Sequence, residues 1–355
     1  MSFDIPTTQK AWRVIRQGKP AKALSFQSDV QVPKQLGPGE VLVKVQAAAL
    51  NPVGYKLMAS VPNFIARRPL TPEYDLSGVV VDANGTNFSN GDEVFGMISV
   101  AHQFKTQQGT LCQYTRLPAT GLVLRPQNVT PIQACGIPLA GETALQALVN
   151  VGKLEAGQTV FINGGSSSVG IFAIHIAKAL GARVIASASG KNEAFVKDHG
   201  ADEFIDYTTT PLHQYLTENP PSPKFHLIFD AAGLVDPSLY KHSEAYLAPG
   251  GTYISTGPTP SFTWGGPRGL SNLLSTFREV MTPTWLWGTR RSWKLVSLVH
   301  SQEDLKRLRE MLAEGKLKPA VDSVYGFEDA LSAYERLQTS RARGKVVVKV
   351  EEGVN

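Results

Sequence analysis

Short apolar or alternating stretches, separated by glycine-containing turns, dominate the first third of the chain. The clearest are Val41–Val45, Gly78–Val81 and Glu93–Met97, and their length and alternation predict β-strands. Turn sequences such as Asn84-Gly85 lie between them. This part of the chain is therefore predicted to form a β-rich domain.

From about Pro131 the pattern changes to strands that alternate with helices. The strand candidates are Thr159–Ile162, Arg183–Ala188, His226–Asp230, Gly251–Ser255 and Lys294–Val299. Helical periodicity falls between them, as in a parallel sheet that helices cover on both faces. We therefore expect an α/β fold with a doubly wound parallel sheet in this part of the chain.

Near the end, one helix and two strands are predicted. Apolar side chains recur on one face of Glu303–Ala313, whereas Val321–Val324 and Val346–Val350 have strand character. This return to β-structure suggests that the last part packs back on the first domain. We therefore predict one domain of residues 1–131 with 301–355 and a second domain of residues 132–300.

Composition and charge narrow the class of protein. The 355 residues are 42% hydrophobic and 18% charged, and the formal net charge of +5 is not concentrated in a tail, so nucleic-acid binding is not expected. No export signal and no run of 18 uncharged apolar residues occurs, which predicts a cytoplasmic protein. Association with mitochondria or with a lipid surface stays open. Only Cys112 and Cys135 are present, which suits a reducing compartment.

The most informative motif follows the strand that ends at Ile162. A glycine- and serine-rich turn leads into the helix pattern Ile171–Leu180, and a second apolar run follows. Strand, turn and helix in this order hold a dinucleotide pyrophosphate at a helix N-terminus. The expected contacts are Gly164, Gly165, Ser166, Ser167, Ser168, Val169 and Gly170. Because Ser167 replaces the middle glycine of the usual pattern, the motif by itself also fits an ordinary tight turn.

The end of the second strand suggests which dinucleotide is bound. An NAD site usually carries Asp or Glu there, but this chain has Ser187, Ser189 and Lys191, and the nearest acid is Glu193. Hydroxyls and a cation suit a 2′-phosphate, which predicts NADPH. Alternatively, Lys191 is an ordinary solvated lysine.

Seven short segments in sequence order resemble the medium-chain dehydrogenase/reductase superfamily, in its zinc-independent, quinone oxidoreductase-like (enoyl reductase-like) branch. Besides the glycine-rich turn, they are Ala48–Lys56, Gly91–Gly96, Ile137–Ala144, Phe229–Gly233, Pro249–Gly251 and Arg343–Val348. The resemblance covers nearly the whole chain. It implies a GroES-like β-rich catalytic domain, a Rossmann-type cofactor domain and a cleft between them.

The zinc ligands of the alcohol dehydrogenases of this fold are not recognisable here. Glu73-Tyr74-Asp75 stands where those enzymes carry Gly-His-Glu, and no cysteine lies near Asn51. The seven histidines are scattered without the paired spacing of metal ligands. We therefore expect no bound metal.

Without a metal, hydride is most easily delivered to a conjugated acceptor, whose charge spreads onto oxygen and needs only a nearby donor. Lys56 resembles a lysine that lies near the substrate carbonyl in relatives, and Tyr55 is its neighbour. We expect Lys56 to stabilise the developing enolate and Tyr55 to shape or donate to the pocket. Alternatively, Tyr55 only packs against its neighbours and Lys56 is an ordinary surface charge. Gly54 departs from the branch, which usually has Asp at this position.

The resemblance implies further cofactor contacts. Asn51 and Thr143 would lie near the nicotinamide and its ribose, and Tyr207 near the adenosine phosphate. Further residues that would line the nicotinamide side are Ala232, Gly233, Ser255, Thr256, Gly257, Gly344 and Lys345. Asn51 and Thr143 could instead be helix caps, and Tyr207 could be a strand-end residue.

Residues 258–294 are the least family-like part. They contain Trp264, Trp285, Trp287, Trp293, Arg268, Arg278, Arg290, Arg291 and Lys294 against the single acid Glu279, which is five minus one, or +4. This composition suits an aromatic wall of the substrate pocket, a membrane-surface patch, a homodimer contact or simple packing.

The first functional hypothesis is an NADPH-dependent reductase of a small conjugated carbonyl: a quinone, an enone or an intermediate of specialised metabolism. A second is a trans-acting enoyl-thioester reductase for acyl or polyketide chains. A third is a weakly catalytic NADPH-binding protein with peripheral membrane contact.

Overall fold

A computed structural model describes residues 3–234, 236–257, 277–282, 286 and 288–354. The strands are β1 (Thr8–Val14), β2 (Leu24–Gln31), β3 (Glu40–Ala49), β4 (Asp75–Asp82), β5 (Glu93–Met97), β6 (Tyr114–Pro118), β7 (Leu122–Leu124), β8 (Thr159–Asn163), β9 (Arg183–Ala188), β10 (Glu203–Asp206), β11 (Phe225–Asp230), β12 (Leu247–Ser255), β13 (Ser292–Leu295), β14 (Val321–Gly326) and β15 (Lys345–Lys349).

The α-helices are α1 (Pro20–Ala23), α2 (Pro52–Ser60), α3 (Asn63–Ala66), α4 (Val100–Thr106), α5 (Pro131–Ala134), α6 (Pro138–Leu145), α7 (Ser168–Ala179), α8 (Glu193–Asp198), α9 (Leu212–Glu218), α10 (Ser238–Lys241), α11 (Gln302–Ala313) and α12 (Ala330–Gln338). A π-helical turn, Gln146–Val151, continues α6.

The chain divides into two compact units. The first unit consists of Met1–Glu142 and His300–Asn355, and the second unit of Thr143–Val299. Residues 132–142 thus belong to the first unit. The predicted domain boundaries at 131/132 and 300/301 stay a prediction.

A largely antiparallel sheet forms the first unit. Its described strands follow the order β14-β15-β3-β4-β5-β7, with β6 paired to β3, while β1 and β2 form a separate hairpin. β15 pairs antiparallel with β3, so the end of the chain completes the sheet that begins near Glu40. Alternating side chains of β3, such as Val41, Val43 and Val45, are fully buried in the core of this unit.

A parallel sheet forms the second unit. Its order is β10-β9-β8-β11-β12-β13, which is 3-2-1-4-5-6 when numbered from β8 and is the Rossmann order. The predicted doubly wound fold is therefore confirmed. Strand order reverses at β8, and in such sheets ligands bind at the carboxyl ends of the strands next to this reversal.

Most predicted strands agree with the structure to within a few residues, and Glu93–Met97 and Arg183–Ala188 agree at both ends. The prediction of a strand at Lys294–Val299 is wrong in its bounds, because β13 spans Ser292–Leu295. Its register explains the shift, since Ser292 pairs with Thr252 and Leu295 pairs with Ser255 at the end of β12.

Candidate active site

The glycine-rich turn joins β8 to the N-terminus of α7. Ser167 is the N-cap: its hydroxyl accepts from the Gly170 amide at 3.1 Å and donates to the Gly164 carbonyl at 2.8 Å. A Cβ on Gly170 would lie 2.1 Å from the Gly164 oxygen, so only glycine allows this close approach. The turn is therefore a compact, capped helix start.

This helix start fits a dinucleotide pyrophosphate. The amides of Ser166, Ser168 and Val169 have no partner among the described residues, as expected for the first turn of a helix. Free amides together with the positive end of the helix dipole favour phosphate. The Ser166 and Ser168 side chains are half-buried, and the Ser166 hydroxyl accepts from Asn192 at 3.2 Å.

Four buried polar side chains cross the carboxyl ends of neighbouring strands in this sheet, and we name them the polar belt: Ser187, Asn163, Asp230 and Ser255. The Ser187 hydroxyl donates to Asn163 Oδ1 at 2.9 Å, and Asn163 Nδ2 donates to Asp230 Oδ1 at 2.8 Å. The Ser255 hydroxyl donates to Asp230 Oδ2 at 3.4 Å. The belt therefore links four parallel strands at their carboxyl ends, where the loops that follow these strands begin.

The polar belt also fixes those loops. The Asp230 carboxylate accepts from the amides of Gly233 at 3.1 Å and Leu234 at 2.7 Å, and Ser255 accepts from the Gly257 amide at 3.1 Å. Burial raises the pKa of Asp230. Our site prediction did not include Asn163 or Asp230, although a polar residue at the end of an otherwise apolar strand was the available signal.

The predicted adenosine corner lies at the end of β9. Ser187 is fully buried with its hydroxyl bonded to Asn163, whereas Ser189 is half-buried and Lys191 is exposed. Asn192, which sequence reasoning missed, donates to the hydroxyls of Ser166 and Ser189 at 3.2 and 3.1 Å. It therefore links the glycine-rich turn to the adenosine corner.

An acid that is distant in sequence also reaches this corner. Asp206, at the end of β10, pairs in register with Ala188, and a Cβ on Gly190 would lie 2.3 Å from its Oδ2. Hydrogen bonds from Thr208 and from the Gly190 amide lower the pKa of the Asp206 carboxyl, so it is ionised at neutral pH. The predicted contact Tyr207 follows it and is half exposed.

The remaining predicted contacts of the second unit lie at the ends of β11 and β12 or on α6. Ala232 is exposed, Thr256 and Gly257 are half-buried, and Thr143 is almost fully buried. Gly233 is placed by the carboxylate of Asp230.

In the first unit, five buried residues form what we name the charged cluster: Asn51, Glu73, Asp75, Tyr334 and Lys345. The Lys345 ammonium donates to Asn51 Oδ1 at 2.6 Å and to Asp75 Oδ2 at 3.0 Å. Asn51 Nδ2 donates to the same Asp75 oxygen at 3.0 Å. The predicted contacts Asn51 and Lys345 are thus brought together, and Gly344 directly precedes Lys345.

Glu73 is, like Asp75, a fully buried acid of the charged cluster. Its Oε2 accepts from the Asn51 amide at 2.9 Å, and its Oε1 accepts from the Tyr334 hydroxyl at 2.7 Å. Burial raises the pKa of Glu73 to about 7, against the opposing effect of these two hydrogen bonds. The sequence offered no local signal for this contact, because Tyr334 lies 261 residues away.

Tyr55 and Lys56 lie in the first half of α2, directly after Asn51. Both are half-buried, and Tyr55 packs against the core of the first unit. Burial lowers the pKa of Lys56 and raises that of Tyr55. Within the part of the chain that the structure describes, the Lys56 ammonium has no hydrogen-bond or ion-pair partner. It is therefore a donor without an acceptor in the described part of the chain.

The described residues contain no group of three or more histidine, cysteine or acidic side chains arranged to hold a metal ion. The prediction of a zinc-independent reaction stays a prediction. No helix among the described residues is long and apolar enough to cross a membrane.

Much of the aromatic and basic segment 258–294 lies outside the described residues, including Trp264, Trp285, Trp287 and Arg268. Trp293, on β13, packs half-buried against the core of the second unit. The alternatives of pocket wall, membrane patch and homodimer contact therefore stay predictions.

Comparisons with known proteins show which family this chain belongs to. Residues 37–127 match the family model described as alcohol dehydrogenase GroES-like domain, and residues 199–348 match the one described as zinc-binding dehydrogenase. The chain is 36% identical over 372 residues to the trans-enoyl reductase pgmF of Aspergillus terreus, with 99% of each chain covered.

Two further relatives have related descriptions. The chain is 33% identical to the chloroplastic NADPH-dependent alkenal/one oxidoreductase of Arabidopsis thaliana, covering 97% of this chain and 80% of that one. The solved quinone oxidoreductase from Coxiella burnetii matches with a TM-score of 0.76 at 27% identity, covering 97% of this chain and 100% of that one. The chain therefore belongs to the medium-chain dehydrogenase/reductase superfamily, in its quinone oxidoreductase-like and enoyl reductase-like branch, and is an oxidoreductase that uses a nicotinamide cofactor.

Proposed function

We propose that this protein is an NADPH-dependent reductase that adds hydride to the β-carbon of a conjugated carbonyl compound. The observation that carries the proposal is the half-buried ammonium of Lys56, which has no partner in the described structure. It is a donor available to an oxygen that becomes negative during reaction. The names of the relatives, which are reductases of enoyl groups, alkenals and quinones, support this substrate class.

The cofactor and the protein chain contribute different parts of the reaction. The bound cofactor supplies the hydride. Addition of hydride to the β-carbon moves the π electrons through the conjugated system onto the carbonyl oxygen. Lys56 donates a hydrogen bond to that oxygen, and its partial burial strengthens this bond because little water competes. The α-carbon of the enolate then takes a proton from solvent, which completes the saturated carbonyl product.

Replacing Lys56 by methionine tests the role of the ammonium while it keeps a long side chain at this position. We expect kcat/KM for an alkenal or a crotonyl thioester to fall by about 100-fold, as for removal of a donor to a developing oxyanion. The matched control is Lys105→Met, an exposed lysine on another helix of the same unit. An unchanged rate in the Lys56 variant would exclude the proposed role.

NADPH is favoured over NADH by the half-buried Ser189, whose hydroxyl accepts from Asn192, and by the exposed Lys191. The carboxylate of Asp206 opposes this choice, but the chain itself already donates to it through Thr208 and Gly190. We therefore place the 2′-phosphate beside Lys191. The NADPH-dependent relative supports this assignment.

Dissociation constants for both cofactors test the assignment. Lys191→Ala is expected to weaken NADPH binding by about 10-fold, since it removes one charge-assisted contact, and to leave NADH binding unchanged. The matched control is Lys197→Ala, an exposed lysine on the following helix that pairs with Glu193. NADH binding as tight as NADPH binding in the wild type would overturn the assignment.

A second candidate is favoured by the relative that covers 99% of this chain and is named a trans-enoyl reductase. In that case the acceptor is an enoyl thioester carried on a phosphopantetheine arm. The two candidates share the hydride step and differ in the group attached to the carbonyl carbon, which is a thioester sulfur in the second. Rates with crotonyl thioesters, alkenals and quinones at equal concentration separate them, because an acyl-carrier enzyme prefers the thioester.

A further inference from the structure

Two departures of this chain occur at positions 54 and 73. The resemblance given in the sequence analysis implies Asp at position 54 in this branch and glycine at position 73 in the zinc enzymes, whereas this chain has Gly54 and Glu73. Glu73 has a φ of 67°, the left-handed region that favours glycine. Position 54 therefore has a glycine in place of the expected carboxylate. Position 73 has a carboxylate on a backbone conformation that suits glycine.

The two positions meet in space. A Cβ on residue 54 would lie 2.2 Å from Glu73 Oε1 and 2.8 Å from its Cδ, so no side chain fits at position 54 while Glu73 keeps its place. Glu73 is fully buried. The carboxylate of Glu73 therefore occupies space into which a side chain at position 54 would extend.

We propose that Glu73 is a positioning residue whose carboxylate replaces the one usually carried at position 54 and sets the start of the helix that carries Lys56. The inference rests on the proposed function. It concerns how the site is held, because neither Glu73 nor Gly54 is assigned a contact with substrate or cofactor.

The hydrogen bonds show how Glu73 acts through its neighbours. Glu73 accepts from the Asn51 amide, and the Asn51 carbonyl accepts from the Gly54 amide at 3.0 Å, which begins α2. The Asn51 side chain does not cap this helix, because it is bonded to Asp75 and Lys345. Glu73 therefore fixes the backbone from which Lys56 projects.

Glu73 is also anchored from its other side. The Tyr334 hydroxyl on α12 donates to it, so the carboxylate links the beginning of α2 to a helix near the end of the chain. A cavity of about 20 Å³, lined by Gly54, Glu73, Arg68 and neighbouring side chains, lies beside it.

A reciprocal exchange in the 355-residue chain tests the inference. The variants are Gly54→Asp, Glu73→Gly and the double variant Gly54→Asp/Glu73→Gly. We expect each single variant to lower kcat for the acceptor by at least 10-fold, since one overfills the site and the other leaves Asn51 and Tyr334 without an acceptor. We expect the double variant to recover to within about 3-fold of the wild type.

Rescue of kcat separates positioning from simple destabilisation, provided that circular dichroism shows all variants folded at the assay temperature. Glu73→Gln serves as a conservative variant that keeps the shape and an acceptor, and it should stay within about 3-fold of the wild-type kcat. Effects that multiply independently in the double variant, or wild-type kcat in a folded Glu73→Ala variant, would overturn the inference.

A second measurement distinguishes failure of this inference from failure of the proposed function. If the wild type reduces none of the acceptors, the coupling is read from the denaturation midpoints of the same four proteins. If the midpoint of the double variant recovers toward that of the wild type, Glu73 replaces a carboxylate at position 54. If the double variant shows the sum of the two single-variant decreases in midpoint, this replacement is excluded.

Discussion

The polar belt of the second unit and the charged cluster of the first unit hold loops in chemically different ways. In the belt, the Asp230 carboxylate accepts only from neutral amides and hydroxyls. In the cluster, Lys345 and Asp75 form a buried ion pair, and Glu73 lies close to both. Loss of a belt serine therefore removes one hydrogen bond from a neutral donor, whereas loss of Lys345 or Asp75 leaves the other as an uncompensated buried charge.

The largest effect is expected where a buried charge loses its partner. Lys345→Met leaves the Asp75 carboxylate without its cation and Asn51 Oδ1 without a donor. We expect the free energy of unfolding to fall by about 4 kcal/mol. Amide hydrogen exchange in peptides that cover β3, β4 and β15 measures this loss within the first unit.

The control for this prediction is Lys44→Met, because Lys44 on β3 pairs with Glu351 and both side chains are partly exposed. Exposed pairs contribute little, so the control should lose no more than about 1 kcal/mol. If the Lys345 variant is as stable as the Lys44 variant, the buried ion pair of the cluster does not make the protein more sensitive to substitution than an exposed pair does.

These two regions also show which features the sequence could predict. Strands such as Glu93–Met97 follow from local alternation, and the glycine-rich turn follows from the spacing of small residues between a strand and a helix. Asn51 and Lys345 were named from separate motifs, but their mutual hydrogen bond joins positions 294 residues apart. Such contacts depend on the register of β15 against β3, which no local pattern contains.

The roles of Asn163 and Glu73 likewise depend on contacts with residues that are distant in sequence, although the polar end of an apolar strand was a local signal for Asn163. Asn163 gains its role because β8 lies between β9 and β11, so its side chain reaches polar groups on both neighbours. Glu73 gains its role because Gly54 leaves space for it. In both cases the informative partner is distant in sequence.

A smaller, pH-dependent effect is expected from Glu73. The groups facing it are Tyr334 from α12, Lys345 from β15, and Asp75, Tyr74 and the Asn51 amide. Burial raises its pKa to about 7 in the folded protein, from an ordinary value of 4.5. The folded state therefore keeps a proton that the unfolded state has already lost, and stability falls as pH rises through the window from about 4.5 to about 7.

Denaturant unfolding at pH 5.5 and pH 8 measures this effect by comparing the wild type with Glu73→Gln. The wild type should lose about 2 kcal/mol more than the variant over this range. Other titrating groups contribute equally to both proteins, so the difference isolates Glu73. Parallel pH profiles for the two proteins would show that Glu73 is ionised throughout.

The smallest effect is expected in the polar belt. Ser187→Ala removes one neutral hydrogen bond, to Asn163 Oδ1, and should lower the free energy of unfolding by about 1 kcal/mol. Because Ser187 is fully buried, we expect its loss to change the dissociation constant of NADPH by less than about 3-fold. The matched control is Ser189→Ala, two residues before Lys191 in sequence. Its half-buried hydroxyl accepts from Asn192, and the loss of this hydroxyl should affect NADPH binding more than stability. A Ser187 variant that binds NADPH 10-fold more weakly would mean that the belt contacts the cofactor directly, and the distinction between supporting and binding residues in this unit would fail.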